Sequence, residues 1–203
     1  MGLLIAVPAY NEEKTISKLI KLHKPFGDVI LFNNNSSDKT VEIAKSHEIE
    51  IEHVLLQGYE NVIFEICNYF LHSKYKYLLI VDGDDEVKVI DINKNIDYLK
   101  LGYDGVIGRR EVSKIKRNSE KIINYLFKLR MGVDDIFCGW KLLTKGALSK
   151  NFRKNTFATS ILNKKSKFYN QDVIYNQRNT TRLGSNMKVN LQLLICGING
   201  LIK

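Results

Sequence analysis

The feature that most restricts the fold is an alternation, through the first half of the chain, of short apolar runs with segments whose apolar residues recur at helical spacing. A strand covered on both faces must be apolar throughout, whereas a crossover helix needs one apolar face, so this alternation marks βαβ units on a mostly parallel sheet. Four buried strands are predicted, at Leu3 to Val7, Asp28 to Phe32, Ile49 to Leu55 and Tyr77 to Val81, with a weaker fifth at Asp104 to Ile107. Ile16, Leu19, Ile20 and His23 predict a helix between the first two strands, with Glu12 and Glu13 in its first turn, where the helix dipole favours carboxylates. Val62, Ile63, Ile66, Cys67 and Phe70 predict a second helix, and Ile90 to Leu101 a third. Beyond Gly108 the pattern changes. Arg109, Arg110, Lys114, Lys116, Arg117 and Lys121 crowd a segment opposed only by Glu111 and Glu120, and a further helix is expected from Ile122 through Leu129.

A chain of 203 residues can bury a full core as one domain, and only two prolines speak against a long linker. With 31 Lys and Arg against 22 Asp and Glu, the net charge is +9, which suits an anionic partner: phosphate, nucleic acid or lipid headgroup. Cys67, Cys138 and Cys196 are odd in number and widely spaced, so neither a disulfide framework nor a zinc site is indicated, and a reducing cytoplasm fits. The opening run stops at Pro8 without a positive n-region, which reads as a strand rather than a signal peptide. No run reaches the roughly 18 apolar residues of a bilayer span. The expectation is therefore a soluble or peripheral protein, with the apolar segment Met187 to Lys203 docking on the core, a bilayer or a partner.

In open α/β sheets ligands bind beyond the carboxyl ends of the strands. Those ends are polar here: Pro8-Ala-Tyr10-Asn11-Glu12-Glu13, Asn33 through Thr40, Asp82-Gly83-Asp84-Asp85-Glu86 and Gly108-Arg109-Arg110. Two carboxylates at Asp82 and Asp84, closing a buried apolar strand, are costly together unless a cation compensates them, and Mg²⁺ or Mn²⁺ shared with substrate phosphates would do so. A solvated Asp/Gly turn has the same letters. Asn33 to Thr40 could face a nucleobase or simply form turns and helix caps, and the Arg109 to Lys121 segment could hold phosphate or be a solvated face. No G-x-G-x-x-G after a strand, Walker A loop or H-E-x-x-H is present, which removes dinucleotide oxidoreductase, P-loop and zincin readings. His23, His47, His53 and His72 fall singly, away from these loops, and Trp140 reads as a packing residue.

The order of these motifs resembles a family 2 glycosyltransferase of the GT-A (Rossmann-like) fold, most similar to the dolichyl-phosphate mannose or glucose synthase branch, over residues 3 to 186. Ile5 to Glu13 matches that family's opening strand and loop, Asn33 to Thr40 its Asp-Asp-Gly-Ser-x-Asp-Gly-Thr run, and Asp82-Gly-Asp84 its Asp-x-Asp motif. Gly105 to Arg109 is similar to the strand before its Gly-Ser-Arg turn, Asp135 to Lys141 to its Asp-x-x-Ser-Gly-Phe-Arg segment, and Arg182-Leu-Gly-Ser185 to its late Arg/Gly/Ser segment.

The resemblance implies a single domain, residues 1–203, with a nucleotide-binding half at 1–108 and an acceptor-side half at 109–203. It implies an inverting, metal-dependent transfer of a hexose from a UDP- or GDP-sugar to a polyprenyl (dolichyl-type) phosphate at the cytoplasmic membrane face. Asp82, Asp84 and Glu86 would surround Mg²⁺ or Mn²⁺. Pro8, Tyr10, Glu12, Asn33, Asp82 and Gly83 would hold the nucleotide-sugar, Arg109, Arg117, Lys141 and Arg182 the donor or acceptor phosphates, and Asp135 and Asp84 would stand at the reacting centre. Four features depart from the family pattern. Asn33 and Asn34 replace acids, Lys141 replaces an arginine, Glu86 replaces a glutamine, and Thr156 to Ile161 lacks the carboxylate that many relatives carry. A hydroxyl acceptor needs a general base whereas a phosphate is already ionised, so the last departure leans toward a lipid phosphate. The alternatives are transfer to a sugar hydroxyl in glycan assembly, and a noncatalytic basic module for nucleic acid or an anionic membrane. For the transferase, nucleic acid is not an expected partner.

Overall fold

The computed structural model describes residues 2–88, 91–111, 113, 115, 117–149 and 161–176. Its first half follows the βαβ pattern: β1 (Leu3–Ala9), α1 (Ile16–His23), β2 (Asp28–Asn33), α2 (Thr40–Ser46), β3 (Glu50–His53), α3 (Tyr59–His72) and β4 (Tyr77–Val81). There follow β5 (Val87–Lys88), α4 (Ile92–Lys100), β6 (Gly105–Arg109), α5 (Asn118–Met131), β7 (Trp140–Thr144), β8 (Phe168–Asp172) and β9 (Ile174–Tyr175). The main sheet has the order β3-β2-β1-β4-β7-β6-β8, and β5 and β9 pair separately as a ribbon. Every pairing in the main sheet is parallel except those of β7, which runs antiparallel between β4 and β6. This is the mostly parallel α/β sheet that the sequence predicts.

Side chains alternate across a strand, so β1 feeds two cores at once. Leu4 and Ala6 pack with α3 and α5 through Val62, Ile66, Phe70, Ile123 and Phe127, while Leu3, Ile5 and Val7 pack with α1 and α4 through Ile16, Leu19, Ile20 and Ile96. The β1 to β4 pairing ends at Ala6 opposite Ile80. Pro8 therefore sits where those strands have separated and its missing N–H costs no ladder bond.

Five expectations need correction. Strand β3 is shorter than Ile49 to Leu55 and is not buried: it lies at the sheet edge, paired on one side, and Leu55 beyond it is 89% exposed. Glu12 and Glu13 precede α1 rather than occupying its first turn, because the helix begins only at Ile16 after a turn closed by Thr15 N–H to the Glu12 carbonyl. The Asn33 to Thr40 loop runs into a helix, α2, which the polar composition hides. Strand β7 is missed because the buried Lys141 interrupts its apolar run. The expected helix over Ile122 to Leu129 is longer, Asn118–Met131, and stops where Gly132 adopts φ 68°, a left-handed value that glycine accepts without strain. Among the described residues no helix is long and apolar enough to cross a membrane. Lys114, Lys116, Arg182, Cys196, residues 156–160 and the Met187 to Lys203 segment lie outside the described residues.

Candidate active site

Strands β1 and β4 are neighbours whose crossovers lead away in opposite directions along the sheet, so the crevice between their carboxyl ends is a topological switch point. Because β7 is antiparallel, its beginning lies at this same edge and delivers Asp135, Cys138 and Gly139 to it.

The loops after β1 and β2 are laced together. Asn11 Oδ1 accepts from the Ser37 and Asp38 N–H groups (2.7 and 3.3 Å), Thr40 Oγ1 accepts from Glu12 N–H (2.7 Å), and Asp38 Oδ2 accepts from Glu13 N–H (3.1 Å). Asn33 is buried, its Oδ1 accepting from Ser36 N–H (3.0 Å) while its amide nitrogen faces His53 Nδ1 at 3.2 Å. Asn34 Oδ1 accepts from Gly58 N–H (3.2 Å). Turn and cap chemistry thus accounts for much of this polar run. His53 is not apart from the loops as expected, since the parallel register of β2 and β3 sets it opposite Asn33. Tyr10 stands at the surface, 38% exposed, whereas Glu12 is buried.

The Asp82 to Asp84 turn is built into the fold on every side. Gly83 N–H donates to the Pro8 carbonyl (3.1 Å), and Thr15 Oγ1 donates to the Gly83 carbonyl (2.7 Å). A Cβ on Gly83 would stand 3.0 Å from the Pro8 oxygen, so the close approach of β1 favours glycine there. Tyr59, the first residue of α3, donates its hydroxyl to Asp82 Oδ1 at 2.9 Å. Asp82 Oδ2 lies against the backbone of Gly139 so closely that a Cβ there would fall 1.9 Å from it. Burial pushes the Asp82 carboxyl above the usual range, opposed by the Lys141 ammonium, the Tyr59 bond and the Arg110 guanidinium. Burial likewise raises Asp84, and the negative charge of Asp82 raises it further. Two enclosed carboxylates that resist ionising together are a donor set short of positive charge.

Lys141 is buried on β7, hydrogen-bonded to the Cys138 carbonyl, and burial lowers its pKa against the opposing pull of Asp82 and Asp135. It is an internal counter-charge to Asp82. Glu86 accepts from the Tyr175 hydroxyl (2.8 Å), and among the described residues no three His, Cys, Asp or Glu side chains group as a metal cage. Asp82 and Asp84 are thus brought together, with Glu86 outside any three-carboxylate cage.

Asp135 is fully buried and both its oxygens are occupied. Oδ2 accepts from Arg110 Nε (2.7 Å) and Arg110 N–H (3.2 Å), and Oδ1 from Arg110 Nη2 (2.9 Å) and Asn124 Nδ2 (3.0 Å). Burial would raise its pKa, but the Arg110 hydrogen bonds and charge outweigh it and hold the group below the usual carboxylate range. Such a carboxylate is a poor proton acceptor, and its geometry suits it to holding Arg110 rather than to removing a proton. It orients Arg110, which also pairs with Glu120 (3.2 Å), as Arg117 does (2.7 Å). Arg109 is turned to Asp134 and Asp172 (both 2.7 Å).

Asp135→Asn leaves Arg110 half-compensated in a buried network and is expected to cost about 3–5 kcal/mol at neutral pH. Because the folded-state pKa is depressed, the contribution is present above the unfolded value of about 3.9 and is lost as pH falls through the lower folded value. Thermal melts of both proteins from pH 7 downward check this, with the gap expected to narrow only in acid.

Arg110 and Gly139 entered the sequence reading only as members of longer segments, with no role of their own, and Tyr59 did not enter it. Arg110 could have been weighed against Arg109, since both follow the same strand, but nothing in the letters ties Tyr59 or Gly139 to Asp82.

A family model described as Glycosyl transferase family 2 matches residues 4–140. Glycosyltransferase AglJ of Haloferax volcanii is 31% identical over 155 residues, covering 70% of this chain and 50% of that protein. The chain thus spans about half the length of that relative. Dolichyl-phosphate beta-glucosyltransferase ALG5D of Trichomonas vaginalis is 24% identical over 180 residues, covering 72% of this chain and 54% of that one. Glucosyl-3-phosphoglycerate synthase from Mycobacterium tuberculosis, crystallised with Mn²⁺, UDP-glucose and phosphoglyceric acid, superposes with a TM-score of 0.69 at 13% identity over 98% of this chain and 79% of its own. That likeness establishes the GT-A fold.

Proposed function

The chain belongs to glycosyl transferase family 2, and from that premise we propose that it moves a hexose from a UDP- or GDP-sugar to a polyprenyl phosphate at the cytoplasmic face of a membrane. The observation that carries the reading is the pair Asp82 and Asp84, enclosed at the switch point between β1 and β4 and lacking enough positive charge to ionise together. The donor set fits a divalent cation, Mg²⁺ or Mn²⁺, which takes one or two protein carboxylates and completes its shell with substrate phosphates. When bound, that cation would neutralise charge gathering on the departing diphosphate. The Mn²⁺ and UDP-glucose in the mycobacterial neighbour support the same class of donor complex.

In this reading residues 1–108 form the nucleotide half and residues 109–203 the acceptor half of one domain. Pro8, Tyr10, Glu12 and Asn33 line the nucleoside side, and Gly83 lets the donor lie close to the backbone. Tyr59 and Gly139 fix Asp82, while Arg110, held by Asp135, presents positive charge toward the phosphates. Arg117 stands beside it through their shared Glu120. The acceptor oxygen attacks the anomeric carbon as the nucleoside diphosphate leaves on the opposite side. A phosphate oxygen needs no base for this, and the saturation of Asp135 favours that acceptor over a sugar hydroxyl. The named activity of the Trichomonas relative supports a dolichyl-type acceptor and that branch of the family.

Thermal stability with UDP, GDP and their sugars, with and without Mn²⁺, tests the donor site. Ligand at about 100 times its dissociation constant adds about 2.7 kcal/mol, or roughly 5–10 °C for a chain of this size. A metal-dependent shift selective for one nucleotide is expected, and no shift with any of them removes the proposal. An acceptor screen that yields product with sugars and never with polyprenyl phosphate would overturn the acceptor half.

A further inference from the structure

Helix α5 carries apolar residues on two opposite faces. Ile123, Phe127 and Met131 enter the core, whereas Ile122, Tyr125 and Leu129 point outward and are 51%, 62% and 68% exposed. At 100° per residue these three fall within about 60° of arc, a continuous outward stripe. Three exposed apolar residues aligned on one helix cost solvation that a lone surface leucine does not, and such stripes mark binding surfaces.

The residues beside the stripe identify what binds. Lys121 and Lys128 border one side and Arg130 the other, all exposed, with Lys128 also near Asp134 at 3.3 Å. The helix has a single acid, Glu120, which is buried and committed to Arg110 and Arg117. The outward face is therefore apolar along its centre and cationic along both borders. A second copy docked face to face would bring these like charges together across a two-fold axis. An anionic bilayer surface instead accepts both features, acyl boundary for the stripe and lipid phosphates for the borders.

We propose that the outward face of α5 is a docking surface for anionic lipid, with Ile122, Tyr125 and Leu129 entering the headgroup layer and Lys121, Lys128 and Arg130 engaging its phosphates. The amino end of the same helix reaches the Arg110, Arg117 and Asp135 network. Docking along α5 thus brings a membrane to the acceptor side of the crevice. The inference rests on the reading of a lipid-borne acceptor.

Cosedimentation of the whole chain with vesicles of phosphatidylcholine, alone or mixed with phosphatidylglycerol, tests it without any acceptor present. Wild type is expected to bind the mixed vesicles, less so at high salt. The combined Ile122→Ser, Tyr125→Ser and Leu129→Ser variant should lose about tenfold or more in vesicle affinity while keeping its melting temperature and its response to nucleotide. Lys121→Glu with Arg130→Glu should lose the preference for phosphatidylglycerol. Failure of wild type to bind mixed vesicles at low salt overturns the inference, as does a serine variant that binds equally well. A wild-type dimer that the serine variant converts to monomer, with vesicle binding unchanged, assigns the stripe to a second copy and overturns it too. Product from polyprenyl phosphate in detergent alongside absent vesicle binding would remove this surface and leave the proposed function standing.

Discussion

Asp84→Asn is expected to lower turnover by about a thousandfold or more while the protein melts at or slightly above the wild-type temperature. The reduction follows from removing one of two carboxylates that would hold the cation, an electrostatic contribution of the size measured for single oxyanion donors, roughly 10² to 10³, or larger. The unimpaired stability follows from the site itself. Asp84 is raised by burial and by the charge of Asp82, so in the absence of a cation its ionised form is a burden on the fold, and a neutral amide relieves it. A structural role for Asp84 predicts the reverse, with stability and activity falling together. Measuring the rate beside the melting temperature separates the two, and an unchanged rate would remove Asp84 from the machinery.

Gly139→Ala should also be severe, through a different route. The added Cβ would stand 1.9 Å from Asp82 Oδ2 and 2.4 Å from its Cγ, where ordinary contacts exceed 3 Å. A carboxylate at the end of a side chain gives way more readily than backbone, so the fold accommodates the methyl group and Asp82 moves by an ångström or more, stretching the Tyr59 bond. Misplacement of that size costs roughly a hundredfold in rate. Kinetics of the alanine variant with a titration of Mn²⁺ check it: a fall in rate with weaker metal activation is expected. Wild-type kinetics would mean that the position of Asp82 is not critical.

Much of the fold was legible because parallel strands covered by helices on both faces must be nearly all apolar. Leu3 to Val7 and Tyr77 to Val81 satisfy that rule, and every residue of the Val62 to Phe70 stripe is buried on α3, where polar Asn61 joins them. The rule fails where its premise does. At the sheet edge β3 has no second neighbour and is not buried, and in β7 a lysine occupies a core position because Asp82 and the Cys138 carbonyl compensate it. The second half of the chain is less readable for the same reason: its strands owe their place to β6 and to the β4 ladder rather than to a local pattern.

The site divides along a similar line. Sequence alone determined that polar loops follow successive strands, that Asp82 and Asp84 close a buried one, and that familiar phosphate-binding loops are absent, since each is a statement about neighbours along the chain. Only the tertiary structure decided that the charge of Arg110 acts on Asp82 while Arg109 turns to Asp134 and Asp172, that Asp135 serves Arg110, and that Tyr59 and Gly139 hold Asp82. Those contacts depend on the antiparallel insertion of β7 beside β4, which carries residues 135–139 to an edge about fifty positions away in the chain. Contacts over that separation are set by strand order and register, for which local residue preferences hold no signal.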